Sequence, residues 1–380
     1  MNPKQLAVTL MLLLGTATQY TANATPVTSH PRLWITQTDL PRLTTWAASN
    51  NPMYTQGLLP AVQAAIQVYN NQFFPGGQAN PNWPDSGVIT WPQYVTESYA
   101  ELFAFMSRID PDSNTRIQHA QRARNLLMHA INEAAKGHLS GASFRDPQFA
   151  TSDRSRIYGE GFPLTVDWIY DAVDGVGNPI LTAQDKATIR QVFLMWADDN
   201  TFAFPNYVSW QPGKPVPVNT SSLLTTMRYS MNNYSAGHMR QLIMMSLSMD
   251  DTDDPPVNPA LPAMQQGNSL HSYFAQATGS ALYQEYAMFE DAAVVASQYG
   301  VPTTTKDLGL ASGGLPAEGI FYGECLSFVH GALLAMHTAG VDDPTVWGPQ
   351  VSLIGSPYWD KFANGLLSSI TPNPQTLVNW

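Results

Sequence analysis

Charge is scarce in this chain. Of its 380 residues only 12% are charged, about half the ~25% usual in soluble proteins. The 18 basic residues are outnumbered by 29 acidic ones, for a net charge of −11, and they form no block. That excludes the cationic face a nucleic-acid binder needs. A single cysteine, Cys325, excludes an internal disulfide, and its apolar, helix-like surroundings make it a packing residue. Strand signals are nearly absent: "KPVPV" at 214–218 is short and broken by proline. Past the N-terminus no run approaches the roughly 18 apolar residues of a membrane span. There is no Walker loop, no GxGxxG, no GxSxG and no HExxH. The eight histidines form no ladder with carboxylates; His330 and His337 lie seven apart, two turns along one helix face. No cofactor and no metal is therefore expected.

What the chain does have begins at its start. Lys4 precedes the apolar run "LAVTLMLLLGTA", and "TANA" sets Ala22 and Ala24 in an A-x-A pattern. This is the pattern of a secretory leader over residues 1–24, so a secreted or periplasmic protein is expected. The missing charge is replaced by Asn, Gln, Ser, Thr, Pro and aromatics, a mix suited to a surface that meets many hydroxyl groups.

Helical periodicity runs through the rest. Val62, Ala65, Ile66 and Tyr69 share a face, as do Tyr99, Leu102, Phe103 and Met106. Residues 114–136 carry Ile117, Leu127, Ala130, Ile131 and Ala134. Thr182 caps a stripe of Ile189, Val192, Phe193 and Trp196, with Asp185 three residues on. Residues 232–249, 276–298, 318–339 and 357–369 continue the series, giving eight to eleven helices. The connections 73–90, 200–222, 250–266 and 301–316 are long and rich in Pro, Gly and Asn. Trp83, Trp91, Phe202, Phe204, Tyr207 and Trp210 sit on or beside them, placed either to stack on sugar rings or to pin the loops to the core. The expectation is all-α: a single α/α toroid over residues 25–380, its helical hairpins arranged in a ring, with a solenoid or irregular bundle as the alternative.

Three stretches crowd polar groups onto the mouth of an apolar helix. In "SMNNYSAGHMRQ" (230–241), Asn233 stands at a helix start, Tyr234 and His238 share a face, and Arg240 follows. In "GGLPAEGIFYGECLSF" (313–328), Glu318 and Tyr322 share a face and Glu324 lies elsewhere on the wheel. In "DRSRIYGEGFPLTVDWIYD" (153–171), Arg154, Arg156, Tyr158 and Glu160 precede the helix holding Val166, Trp168 and Ile169. Each has an ordinary structural reading as caps, core groups and surface ion pairs. Taken together they suggest one rim. These residue types also match β-elimination on a uronic acid. That reaction needs a group that neutralises the C5 carboxylate, a Tyr or His that removes the C5 proton, and an acid that protonates O4.

Several of these stretches also resemble a family. "HPRLWITQTDLPRL" (30–43) is similar to the opening of the catalytic domain of heparinase II/III-like polysaccharide lyases and their alginate-lyase relatives. "EGFPLTVDWIYDAV" (160–173) resembles their Asp-Trp-x-Tyr-Asp helix, and "NNYSAGHM" and "GGLPAEGIFYGECLSFVHGALLAMHTAG" resemble the helix mouths lining their cleft. The resemblance implies a toroid with Asn233, His238 and Tyr322 in catalysis. Arg154, Arg156, Glu160, Tyr234, Arg240 and Glu318 would then contact substrate. It also implies a following β-sandwich region, which would lie beyond residue 380. Two features depart from the pattern: Tyr234 rather than His follows Asn233, and the histidine comes four residues further on. The expected partner is a polysaccharide containing uronic acid. A glycoside hydrolase using two of Glu160, Glu318 and Glu324, and a non-catalytic glycan-binding domain, are the alternatives.

Overall fold

A computed structural model describes residues 25–89, 91–203, 233–265, 267–289, 324–356 and 358–369. Residues 1–24, the segment 204–232, and the stretch carrying Glu318 and Tyr322 lie outside the described residues. Within them the chain is helical, with no strand beyond one isolated bridge between Val173 and Pro179. In chain order the helices are α1 (Leu40–Ala48), α2 (Leu59–Val68, with π turns at both ends), α3 (Thr96–Ile109), α4 (Ser113–Ala134), α5 (Gln148–Thr151), α6 (Asp153–Tyr158), α7 (Gly161–Ile169) and α8 (Ala183–Ala203). They continue as α9 (Asn233–Leu247), α10 (Leu270–Gln276), α11 (Leu282–Phe289), α12 (Glu324–Thr338), α13 (Pro344–Trp347) and α14 (Tyr358–Ser369).

Caps explain several boundaries. The Asp185 N–H donates to Thr182 Oγ1 at 3.1 Å and the Thr182 N–H donates to Asp185 Oδ2 at 2.9 Å, the reciprocal cap expected of this pair. The Asp112 carboxylate accepts from the Thr115 N–H at 2.7 Å and starts α4. The helix expected to start near residue 276 begins at Leu270 instead. Ser269 and Ser272 cap it reciprocally, and a π turn over Ala277–Ala281 carries it into α11. The stretch 153–171 also differs from expectation. It forms two helices, so Arg154, Arg156 and Tyr158 lie inside α6 rather than in a lead-in.

The core is continuous. Phe103, Leu127, Ile131, Val166, Ile169, Phe193, Ile243, Met244, Val329 and Met336 bring α3, α4, α7, α8, α9 and α12 into one apolar cluster. Helix α9 is its axis: every residue in it except Tyr234 is buried, and it packs against α6, α7, α8, α10 and α12. A helix covered on all sides is expected to be apolar all round. This one carries Asn233, His238, Arg240 and Gln241, so each must find polar partners inside the protein.

The segment before α1 ties the ends of these helices together. The Asp167 carboxylate of α7 accepts from His30 Nδ1 at 2.6 Å, from the Arg32 N–H at 3.0 Å and from the Leu33 N–H at 2.9 Å. Trp168 Nε1 donates to the Leu33 carbonyl at 3.0 Å. The Tyr170 ring stacks on His30 with centroids 3.9 Å apart. Arg32 donates through Nε to the Leu247 carbonyl and through its terminal nitrogen to the Met249 carbonyl, both at 2.8 Å, satisfying acceptors at the end of α9. Trp34 Nε1 donates to the Gly331 carbonyl of α12 at 2.9 Å. "HPRLW" and "DWIY" are thus two halves of one clasp.

Two results should follow. Asp167→Ala leaves His30 and two buried amides without an acceptor and should cost about 3–5 kcal/mol in denaturant unfolding. The second concerns pH. Burial pushes the His30 imidazole down, but hydrogen bonds to Asp167 and Asp250 outweigh it, and the net shift is up from 6.5. Its contribution is then full below 6.5 and is lost as pH rises through the folded value. The hydrogen bond from His30 holds Asp250 below its ordinary 3.8, so that contribution is present above 3.8 and lost as pH falls. The stability difference between wild type and His30→Leu should therefore peak between 3.8 and 6.5 and shrink on both sides.

Candidate active site

The buried polar groups of α9 meet those of α6 and the α6–α7 turn. Gly237 makes the approach possible: a Cβ there would sit 3.0 Å from the Arg156 Cα. The Arg156 guanidinium pairs with Asp153 at 2.9 Å and lies over the Tyr234 ring, 5.1 Å from its centroid. The Tyr234 hydroxyl donates to the same Asp153 at 2.5 Å. One turn further along α9, the His238 ring lies 6.5 Å from that of Tyr234, and its Nε2 reaches the Thr151 carbonyl at 3.1 Å. Arg240 donates to the Arg156 carbonyl at 2.8 Å, pairs with Glu160 at 2.6 Å and lies over the Phe328 ring of α12 at 4.4 Å. Arg156, Glu160, Tyr234, His238 and Arg240 thus form one connected network from stretches about 80 residues apart in sequence. Asn233 is buried at the start of the same helix.

Protonation constrains what this network can do. Burial pushes the His238 imidazole down to about 4, against the opposing pull of the Thr151 carbonyl. At neutral pH it is uncharged, with Nε2 as the donor to that carbonyl. A neutral His238 cannot supply positive charge for a substrate carboxylate, so the cationic groups of the network are Arg156 and Arg240.

Arg154 has a different place. It is fully buried and clamped between two carboxylates: Nε donates to Glu97 at 2.7 Å, one terminal nitrogen to Asp85 at 2.9 Å, and the other to Asp85 and Glu97, both at 2.5 Å. Burial alone would lower its pKa, but Glu97 and Asp85 raise it further above its ordinary value. Its planar fork bolts α6 to α3 and to the loop holding Asp85, so a substrate-contacting role would require opening this clamp.

One group outside the expected site residues is electrostatically linked to the network. Glu101 follows Glu97 by four residues on α3, on the same face. Gly161 lies tight against Glu97 there; a Cβ on it would come within 2.9 Å of the Glu97 Cβ. Glu160 immediately precedes Gly161 at the head of α7. Burial first, and then the Glu160 charge, push the Glu101 carboxyl up to about 8, with Arg240 opposing. The cue in the sequence is "TESYAEL": two acids one turn apart on a stripe that is otherwise buried.

Among the loop aromatics, Trp83 is pinned, stacked on His129 with centroids 3.5 Å apart and donating to Thr96. Trp91 is 72% exposed and meets the Tyr158 ring edge-on at 6.4 Å, beside the network. Phe204, Tyr207 and Trp210 lie outside the described residues, as do Tyr322 and Glu318. Among the described residues no three His, Cys, Asp or Glu side chains are grouped to hold a metal ion, and no helix is long and apolar enough to cross a membrane. Compared with known proteins, the chain matches no family model, no curated protein and no solved structure.

Removing Arg154 strands two buried carboxylates. Arg154→Met should lower unfolding stability by about 3–5 kcal/mol, read by denaturant titration. Glu101 sets a second expectation. Its folded pKa is raised from 4.5 to about 8, so between those values the folded state holds the extra proton and stability falls as pH rises. Glu101→Gln removes that fall. Its unfolding midpoint, measured against wild type near about pH 5 and about pH 9, should gain on wild type at the higher pH.

Proposed function

We propose that this protein is an exported polysaccharide lyase of the heparinase II/III-like kind, built on an α/α toroid and cleaving a uronate-containing glycan by β-elimination. The observation that carries the reading is the network of Arg156, Glu160, Tyr234, His238 and Arg240, assembled at one end of a central helix from distant stretches. It places cationic, phenolic, imidazole and carboxyl groups within a few ångströms of one another, beside the exposed ring of Trp91. The leader over residues 1–24 supports export.

In this reading Arg156 and Arg240, with Asn233, neutralise the uronate carboxylate and so acidify the C5 proton. Tyr322 would remove that proton with His238 as its partner, and Glu318 and Tyr234 would bind the sugar. A phenol with an ordinary pKa near ~10 acts as a base only beside positive charge, so this role requires a cationic group next to Tyr322. Arg154 supports the site from below by fixing α6.

A second reading, glycoside hydrolysis, draws on one observation: Glu101 and Glu160 are close enough for the charge of one to raise the pKa of the other. Two such carboxyl groups are what inverting and retaining hydrolases require. The products separate the readings. A lyase leaves an unsaturated uronyl end that absorbs in the ultraviolet; a hydrolase leaves new reducing ends without it. On a panel of uronate polysaccharides the wild type should generate the ultraviolet signal. Tyr322→Phe should lower kcat by about 10²–10⁴-fold, with an unchanged circular dichroism spectrum. Full activity in that variant removes Tyr322 from catalysis, and reducing ends alone favour hydrolysis.

A further inference from the structure

Trp83 and Trp91 sit on the loop before α3 and are used differently. Trp83 lies flat on His129 with centroids 3.5 Å apart and belongs to the core. Trp91 is 72% exposed, and Ile89 near it is 55% exposed. The chain on either side of Trp91 is nonetheless tied down. Arg154 donates to the Ile89 carbonyl at 3.1 Å. The Thr96 N–H and hydroxyl both donate to Asp85, at 2.8 and 2.7 Å. The Tyr94 ring packs against Phe73 and Tyr99, with centroids 6.2 and 6.4 Å away. Upstream, Gly87 has a positive φ, and a Cβ on it would lie 2.7 Å from the Phe144 backbone nitrogen. The Tyr158 ring of α6 then props the indole, 6.4 Å between centroids at an angle of 79°. An indole held this firmly, with most of its surface in water, is pre-organised to be covered by a ligand.

The surroundings choose the occupant. A nucleobase would stack on an indole, but its phosphates need free cations. The guanidinium under this loop, Arg154, is spent on Asp85 and Glu97. A docked amphipathic helix needs a row of apolar anchors, whereas Trp91 offers one ring-sized face. A pyranose needs neither: its C–H face covers a single aromatic ring while its hydroxyls stay in water. The location fits as well. Tyr158 lines a small cavity together with Glu97, Ser155 and Gln241, and Gln241 follows Arg240 on α9. The geometry points to Trp91, propped by Tyr158, as the platform of a glycan subsite on which one pyranose ring of the bound chain stacks. This rests on the proposed glycan-cleaving function and adds to it a residue that holds the chain. Trp91 moves no proton, so it binds ground state and transition state alike and acts on KM rather than kcat.

The test uses the full chain as wild type, Trp91→Ala and Trp91→Phe, matched by circular dichroism and unfolding midpoint. Native gels cast with polygalacturonate, polymannuronate or a glucuronate-containing heteropolysaccharide measure retention without needing turnover. At least one of these should retard wild type. Trp91→Ala should weaken that affinity about 5–10-fold, and Trp91→Phe should restore most of it. On a glycan that wild type also cleaves, W91A should raise KM by a similar factor and leave kcat within about twofold. Equal retention of wild type and W91A overturns the platform and leaves the lyase reading standing. Retention that depends on Trp91, with no cleavage of any glycan, upholds the platform and removes the lyase reading. A wild type that none of the glycans retards overturns the platform. So does a W91A variant that is retained normally but sediments as a smaller species, which would assign the ring to a contact between two copies of the chain.

Discussion

The Arg154 clamp is the constraint on which the candidate site depends. A guanidinium taken wholly out of water is tolerable only when its charge and its donors are both satisfied. Asp85 and Glu97 do this with a bidentate geometry on each side. Such a cluster contributes little net stability compared with an apolar replacement, since desolvation offsets much of the attraction. What it supplies is position. It fixes α6 against α3 and leaves Arg156, two residues on, facing α9 and Glu160 at the head of α7. Without it the polar groups of α9 would be buried opposite nothing in particular.

The same logic recurs at the other end of α9. There the clasp made by His30, Arg32 and Asp167 covers the terminal carbonyls of the helix and ties α7 to α12 through Leu33 and Trp34. A chain without disulfides, and with charge this sparse, places its few ionic groups where they join elements distant in sequence. Most of its surface is left to neutral polar residues, while arginine appears at the crossings.

Much of this could be read from the residues beforehand. Helical periodicity gave the all-α class, and Thr182 with Asp185 marked a helix start that the structure contains. The Tyr234–His238 pairing followed from spacing alone, because residues four apart on a helix share a face. The start of α10 was misplaced because serines that look like loop composition act there as reciprocal caps. Arg154 read as a surface or substrate arginine because its partners, Asp85 and Glu97, lie 69 and 57 residues away. Spacing gives no hint of such contacts. Glu97 was hidden for a related reason: an acid inside an amphipathic helix normally marks the solvent face, yet this one is buried, with Gly161 packed tight against it.

Whether the α6–α9 junction receives a uronate sugar can be decided by a crystal structure with a short uronate oligosaccharide bound to the intact chain. The expected result is a sugar ring beside Trp91, with its carboxylate within about 3 Å of the Arg156 or Arg240 guanidinium. An oligosaccharide seated on another face of the protein, with this junction closed to it, would rule the junction out as the sugar site.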